Sequence, residues 1–214
     1  SDVLPSIGHT DADAATTAAA IGAAVAAGGR VASATHLFNA MPPVHHRSPG
    51  PVAACLAAAA RGELVLELIA DGVHLADETV AAVFDLVGPA RIALVTDASP
   101  AAGQPDGRYR LGSLPIEVEH GVARLAAPHP AAIAAGTARL IDVVRRAVRQ
   151  AGVPLAAAVT AATATPARLL GLSDVGDLAA GRRADLVVTD DERAPLAVMR
   201  AGRWVHRAPG QEAV

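Results

Sequence analysis

Leu64-Val65-Leu66-Glu67-Leu68-Ile69-Ala70, followed by Asp71-Gly72-Val73-His74, is the stretch that decides the fold. A near-continuous apolar run closed by a glycine turn reads as a strand buried on both faces, because a strand with one wet face alternates apolar and polar residues. Three more such runs occur: Val3 to Ile7, Arg30 to Ala34 and Arg91 to Val95. Helical stretches lie between them, at Ala12 to Ala27, Pro51 to Ala60 and Asp77 to Leu86. Thr10 and Asp11 are capping types at the start of the first helix, and Gly28-Gly29 closes it. Asp77 and Glu78 suit the first turn of the third helix, where the helix dipole favours negative charge. Strand and helix in strict alternation imply an α/β fold with a parallel sheet.

Beyond Asp97 the pattern changes. Pro100 to Gly107 reads as a loop, and Arg108 to Leu125 alternates weakly around Gly112 and Gly121, which predicts a β-hairpin insertion over 108–125. Gly136 to Gln150 reads as a helix with arginines on its outer face. Pro154 to Leu170 reads as another, broken near Pro166. From Gly176 onward two strands are predicted, Ala184 to Thr189 and Leu196 to Val205, joined by a polar turn around Asp190-Asp191-Glu192.

The chemistry concentrates where the apolar runs stop. They end at Gly8-His9, Thr35-His36, Asp71-Gly72-Val73-His74 and Thr96-Asp97. A single histidine there is more often an incidental loop or core residue. Four consecutive strands that each deliver His or Asp at the carboxyl end point to one shared polar site, since that face builds the active site of parallel barrels. Three imidazoles with a carboxylate suit zinc or a mixed divalent site, in which water is acidified and the carboxylate moves the proton. Asp71 is either a ligand or the cap of its turn. His45 and His46 sit in a loop after Pro42-Pro43, and adjacent side chains of an extended chain point apart, so they are poor co-ligands. Arg47 offers a planar fork that suits a phosphate, and Asn39 can donate hydrogen bonds to the same group. His120, His129 and His206 lie away from the strand ends, and Cys55 sits in an alanine helix as a buried structural thiol.

Composition excludes several classes. With 52% hydrophobic and 18% charged residues over 214 positions, the chain buries a core and is not disordered. A net charge of −3 provides no basic field for nucleic acid or an anionic membrane surface. One cysteine rules out a disulfide framework and a cysteine-based zinc site, and a cytoplasmic setting is expected. No apolar stretch reaches the roughly 18 residues of a membrane span, and no signal peptide is recognised. All 18 cations are arginine, a bias we read as genomic rather than functional.

Four segments, Gly8-His9-Thr10-Asp11-Ala12, Ala34-Thr35-His36-Leu37-Phe38-Asn39-Ala40-Met41, Ile69-Ala70-Asp71-Gly72-Val73-His74 and Leu94-Val95-Thr96-Asp97-Ala98, resemble the N-acetylglucosamine-6-phosphate deacetylase family of the amidohydrolase superfamily. The run from Gly176 to Val188 resembles the superfamily's general C-terminal signature. The resemblance extends from about Gly8 to Val205 and implies the C-terminal portion of such an enzyme. It implies a partial (β/α)8 TIM-like barrel over 1–175 and the C-terminal strands of a small β-domain over 176–214. It implies a divalent metal, zinc first, with iron, cobalt or manganese as alternatives. His9 and His36 match its metal-ligating histidines, Asp97 its catalytic acid/base, and His74 a histidine near the substrate carbonyl. Asn39 and Ala40 match residues that hold the sugar phosphate. Arg47 matches an arginine that reaches the phosphate of a neighbouring subunit, so a homodimer is implied. Ile133 and Ala134 fall near a substrate-contacting loop, where Ile133-Ala134-Ala135-Gly136-Thr137 replaces a Gly-Ser pattern. The third ligand, a carboxylate, belongs to the family's N-terminal half, with Asp71 or Asp11 as the in-chain stand-ins, so the chain alone is expected to hold metal weakly. Two alternatives stay open: another amidohydrolase, dihydroorotase-like or an amino-acid deacetylase, and an inactive fragment that associates with a partner chain.

Overall fold

The computed structural model describes residues 3–27, 32–126 and 132–209. Strands β1 (Ser6–Ile7), β2 (Ala32–Ala34), β3 (Leu64–Leu68) and β4 (Ile92–Leu94) form a parallel sheet in that order. Helices α1 (Ala14–Ala26), α2 (Gly50–Ala60) and α3 (Asp77–Val87) connect them, with a short 3-10 turn at Pro89–Arg91 leading into β4. β3 stops two residues short of the end of its apolar run and β4 one residue short, where the chain bends toward the sheet's carboxyl edge, whereas β1 keeps the end of its run at Ile7 and starts later than Val3. Asp13, not Thr10 or Asp11, caps α1: its carboxylate accepts from Thr16 N at 2.7 Å, while Thr10 Oγ1 accepts from Ala12 N.

One face of the sheet presents Ala32, Ala34, Leu64, Leu66, Leu68, Ile92 and Leu94, packed against Val52, Cys55, Val80 and Phe84 of the helices. This burial is the main source of the fold's stability. The opposite face is mixed. Val65 and Ala93 meet Leu169, whereas Ser6, Ser33, Thr35 and Glu67 form a polar row. Ser33 Oγ lies 2.7 Å from Ser6 Oγ and 3.0 Å from Glu67 Oε1, and Ser6 Oγ lies 2.5 Å from Thr35 Oγ1. Each hydroxyl of this row has a side-chain partner, and the row ends on a carboxylate.

The expected hairpin over 108–125 is a larger unit. Strands β5 (Gly107–Leu111), β6 (Leu114–Glu119), β7 (Val122–Leu125) and β8 (Ile133–Ala135) form a four-stranded antiparallel sheet in that order. Ile116, Val118 and Ala123 of this sheet bury a small core with Ala101. Ile133 and Ala134 therefore lie on a strand rather than in a loop, because β7 offers its free edge to them. The following helix, α4 (Leu140–Arg149), starts four residues later than the expected Gly136. Helices α5 (Leu155–Ala162) and α6 (Ala164–Leu170) part at Thr163, three residues before Pro166. Proline has no N–H for the carbonyl four residues earlier, that of Ala162, and its ring clashes with that carbonyl.

The tail forms three strands where two were expected: β9 (Leu186–Thr189), β10 (Pro195–Arg200) and β11 (Arg203–Arg207), ordered β11-β10-β9. The predicted second strand folds back on itself at Ala201-Gly202, where both residues take a positive φ. The arginines of α4 are engaged in pairings along its outer face. Arg145 donates to Asp142 and to the Arg193 carbonyl, Arg149 pairs with Glu192, and Arg146 reaches across to α3. Among the described residues no helix is long and apolar enough to cross a membrane.

Candidate active site at the carboxyl edge of the parallel sheet

β1 and β2 pair with Ile7 opposite Ala34. Two residues beyond each partner stand His9 and His36, so equal offsets from one register bring both imidazoles to the same height. Both residues turn the chain into the left-handed region, with φ 45° and 30°, and Phe38, Ala40 and Asp97 do the same at 79°, 50° and 48°. Such conformations cost a non-glycine residue of the order of 1–2 kcal/mol each. They persist where surrounding contacts over-determine them, and they cluster at functional sites. Here the ladder continues past the strands: Thr35 N donates to Ile7 O and Leu37 N donates to Glu67 O, each at 2.8 Å.

His9 Nε2 and His36 Nε2 stand 2.9 Å apart, with ring centroids at 4.8 Å and planes inclined by 65°. His36 is 7% exposed, and its Nδ1 is buried without a hydrogen-bond partner among the described residues. Two imidazole nitrogens aimed at one point fit a shared cation. Zinc–nitrogen bonds of about 2.0–2.1 Å in tetrahedral geometry place such nitrogens about 3.3 Å apart, so a small opening admits the ion. Among the described residues, no group of three or more His, Cys, Asp or Glu side chains is placed to hold a metal. Among the described residues, two imidazole donors stand together.

Asp71 is not a free ligand. Its Oδ1 accepts from the N–H groups of Val73 and His74, and its Oδ2 lies 2.8 Å from His74 Nδ1. The two side chains are 7% and 6% exposed. Burial pushes the Asp71 carboxyl up, but the hydrogen bonds from the His74 ring and from both amides outweigh it and hold the group below its ordinary value. Asp71 caps its turn and orients His74, whose Nε2 is then the nitrogen left for a ligand. The other stand-in, Asp11, lies exposed ahead of α1.

Asp97 is exposed at the end of β4, and its carbonyl accepts from Gly136 N at 2.7 Å. Ser99 N donates to Gly136 O at 2.8 Å, so the end of β8 is stitched alongside the Asp97 loop. A Cβ on Gly136 would collide with the Thr96 carbonyl oxygen, which makes glycine the residue that fits. From the sequence Gly136 reads as the start of a helix, and nothing local to it announces the contact with Thr96.

Asn39 Nδ2 donates to the carbonyls of His36 and Leu37, which fixes the turn after His36, and Ala40 is exposed beside it. His45 and His46 do not point apart. The turn closed by Ser48 N on His45 O brings their rings to 4.4 Å at 37°, and Arg47 Nη1 lies 2.7 Å from His46 Nε2. All three side chains are exposed. His120 sits in the β6–β7 turn and His206 is exposed on β11, both away from the edge, while His129 lies outside the described residues. Cys55 is fully buried in α2, and burial pushes its thiol up to about 11, which leaves it unreactive at neutral pH.

The sequence pattern of the Amidohydrolase family matches residues 5–205, and the chain belongs to that family. The N-acetylglucosamine-6-phosphate deacetylase of Vibrio furnissii is 33% identical over 212 residues, which cover 97% of this chain and 50% of that protein. An N-acetylgalactosamine-6-phosphate deacetylase of Escherichia coli O157:H7 is 39% identical over 156 residues, 72% of this chain and 40% of that protein. Among solved structures, a mutant N-acetyl-D-glucosamine-6-phosphate deacetylase of Mycobacterium smegmatis, in complex with N-acetyl-D-glucosamine-6-phosphate, superposes with a TM-score of 0.84 at 45% identity. That superposition covers 94% of this chain and 51% of the other. The chain spans about half the length of the deacetylases it resembles. Deacetylases of this family are metal-dependent.

Proposed function

We propose that this chain carries the metal-binding and substrate-facing edge of a deacetylase that converts N-acetylglucosamine 6-phosphate into glucosamine 6-phosphate and acetate. The observation that carries this reading is the convergence of His9 and His36 at one height, on the sheet edge where the next two strands lead to His74, paired with Asp71, and to Asp97. Residues 1–175 are read as part of a (β/α)8 barrel and 176–214 as strands of a small β-domain.

His9 and His36 would hold the ion, zinc first, which supplies Lewis acidity and brings a water toward a pKa of about 7. Asp97 takes the proton from the attacking water and returns it to the nitrogen of the leaving amine. His74, oriented through Nδ1, presents Nε2 to the acetamide oxygen. Asn39 and Ala40 line the turn that receives the sugar phosphate, with Ile133 and Ala134 as further substrate contacts. Arg47, exposed on its loop, pairs with the phosphate bound by a second copy, which makes the working unit a homodimer in the cytoplasm.

The test is acetate release from the 6-phosphate sugar in the intact protein with added Zn²⁺, beside the unphosphorylated sugar and the C4 epimer. Turnover should need both the phosphate and the metal, and the epimer arm separates glucosamine from galactosamine substrates. Asp97→Asn should bind substrate yet lose about 10²–10⁴-fold in rate. A variant that turns over at the wild-type rate overturns the assignment of Asp97.

A further inference from the structure

The turn that carries His74 is held from a second side. Arg146, in the middle of α4, donates from Nε to Asp77 Oδ1 at 2.8 Å and from Nη2 to Asp77 Oδ2 at 2.7 Å. Asp77 opens α3, three residues after His74. The fork is bidentate and planar, the strongest form of this pairing, and both side chains are partly buried, 37% and 23% exposed. The guanidinium lies against Gly72, where a Cβ would force the arginine's tip to move, and Gly72 holds φ 76°.

The turn from Asp71 to His74 belongs to no helix or strand, so its shape depends on these contacts. Asp71 ties it from below by accepting both amides and the imidazole. Arg146 lies against it at Gly72 and anchors the first turn of α3. We propose that Arg146 is a positioning residue for His74, acting through Gly72 and Asp77 to keep the Asp71–His74 pair closed so that Nε2 stays directed to the substrate. This rests on the role given to His74 above. Lysine cannot replace it, because a point charge on a flexible stem makes no planar fork to Asp77.

The test uses the intact protein with two readouts. The first is the ring ¹⁵N signals of His74, which should show a single tautomer protonated at Nδ1. In Arg146→Ala and Arg146→Lys the ring should average between tautomers, at a pH where the wild type shows one. Asp77→Asn, which keeps the side chain's size, should produce the same averaging with less risk to folding. The second readout is a double-mutant cycle: each variant should lower kcat by about tenfold, as loss of an orienting partner does, with KM little changed. On a His74→Ala background the same substitutions should change kcat by less than about twofold, because independent sites add and coupled ones do not. A folded variant with an unaltered His74 signal, or with an equal loss on both backgrounds, overturns the proposal and leaves Arg146 as a tie between α3 and α4. If the wild type releases no acetate while His74 still responds to Arg146, the positioning stands and the deacetylase reading fails.

Discussion

His9, His36 and Asp97 on the edge of the parallel sheet and His120 and Ala201 in the hairpin turns all hold φ between 30° and 52°. The same backbone state has different causes in the two regions. His120 and Ala201 each precede a glycine, Gly121 at 75° and Gly202 at 77°, and each pair spans a two-residue connection between antiparallel strands. Two positive φ values in succession are the turn whose twist matches such strands. The strain there serves the chain path alone, and asparagine or glycine would serve it better. At the parallel edge the connections run on into long loops and helices, and none of them is a two-residue connection between antiparallel strands. Under the proposed function it serves direction, since the bent ends of β1 and β2 bring the His9 and His36 rings together. Strain that serves geometry is replaceable, whereas strain that serves chemistry is tied to one residue type.

That comparison breaks first at Asp97. Asp97→Gly keeps the left-handed φ without its cost and removes no buried packing, so it should gain about 1 kcal/mol of stability. It should also lose about 10²–10⁴-fold in turnover. A rise in melting temperature with turnover retained would refute the distinction. Arg47 sharpens it from the other side, since the phosphate role proposed for it lies on an exposed turn. Arg47→Ala should raise KM for the phosphorylated sugar by about 10–100-fold, as loss of a charged hydrogen bond does, and leave the unphosphorylated sugar unaffected. Equal changes for both sugars would remove the phosphate role.

Asp71 adds a pH dependence. Its folded pKa lies below the unfolded value, so its contribution to stability is fully present above the ordinary carboxylate range and is lost as pH falls through the depressed folded value. Asp71→Asn should therefore melt lower than the wild type at neutral pH, with the gap closing on acidification; a gap independent of pH would show that the charge is not involved. The smallest effect belongs to the hairpins. His120→Asn or Ala201→Asn should stabilise by about 0.5–1 kcal/mol with activity unchanged, read as a shift in melting temperature. A loss of activity there would place the turns nearer the chemistry than their geometry does.

The local pattern of residues determined the alternation of strands and helices and the four strand ends. A buried strand is a continuous apolar run, and a polar residue at its end is visible without knowing its neighbours. The pairing of Asp71 with His74 was within reach, since the two are three residues apart in a glycine turn, but the spacing alone left Asp71 equally a ligand or a cap. Other features have no local signature. The third tail strand hides in a segment that looks like one strand until it folds at Ala201-Gly202. Ile133–Ala135 becomes a strand because β7 offers a free edge. Gly136 is required by the carbonyl of Thr96, and Arg146 turns inward because Asp77 and Gly72 receive it, 69 residues away from Asp77 in the chain. Periodicity reports which face of an element is apolar. Which distant atom stands against a given side chain is set by packing, and only the tertiary structure decides that.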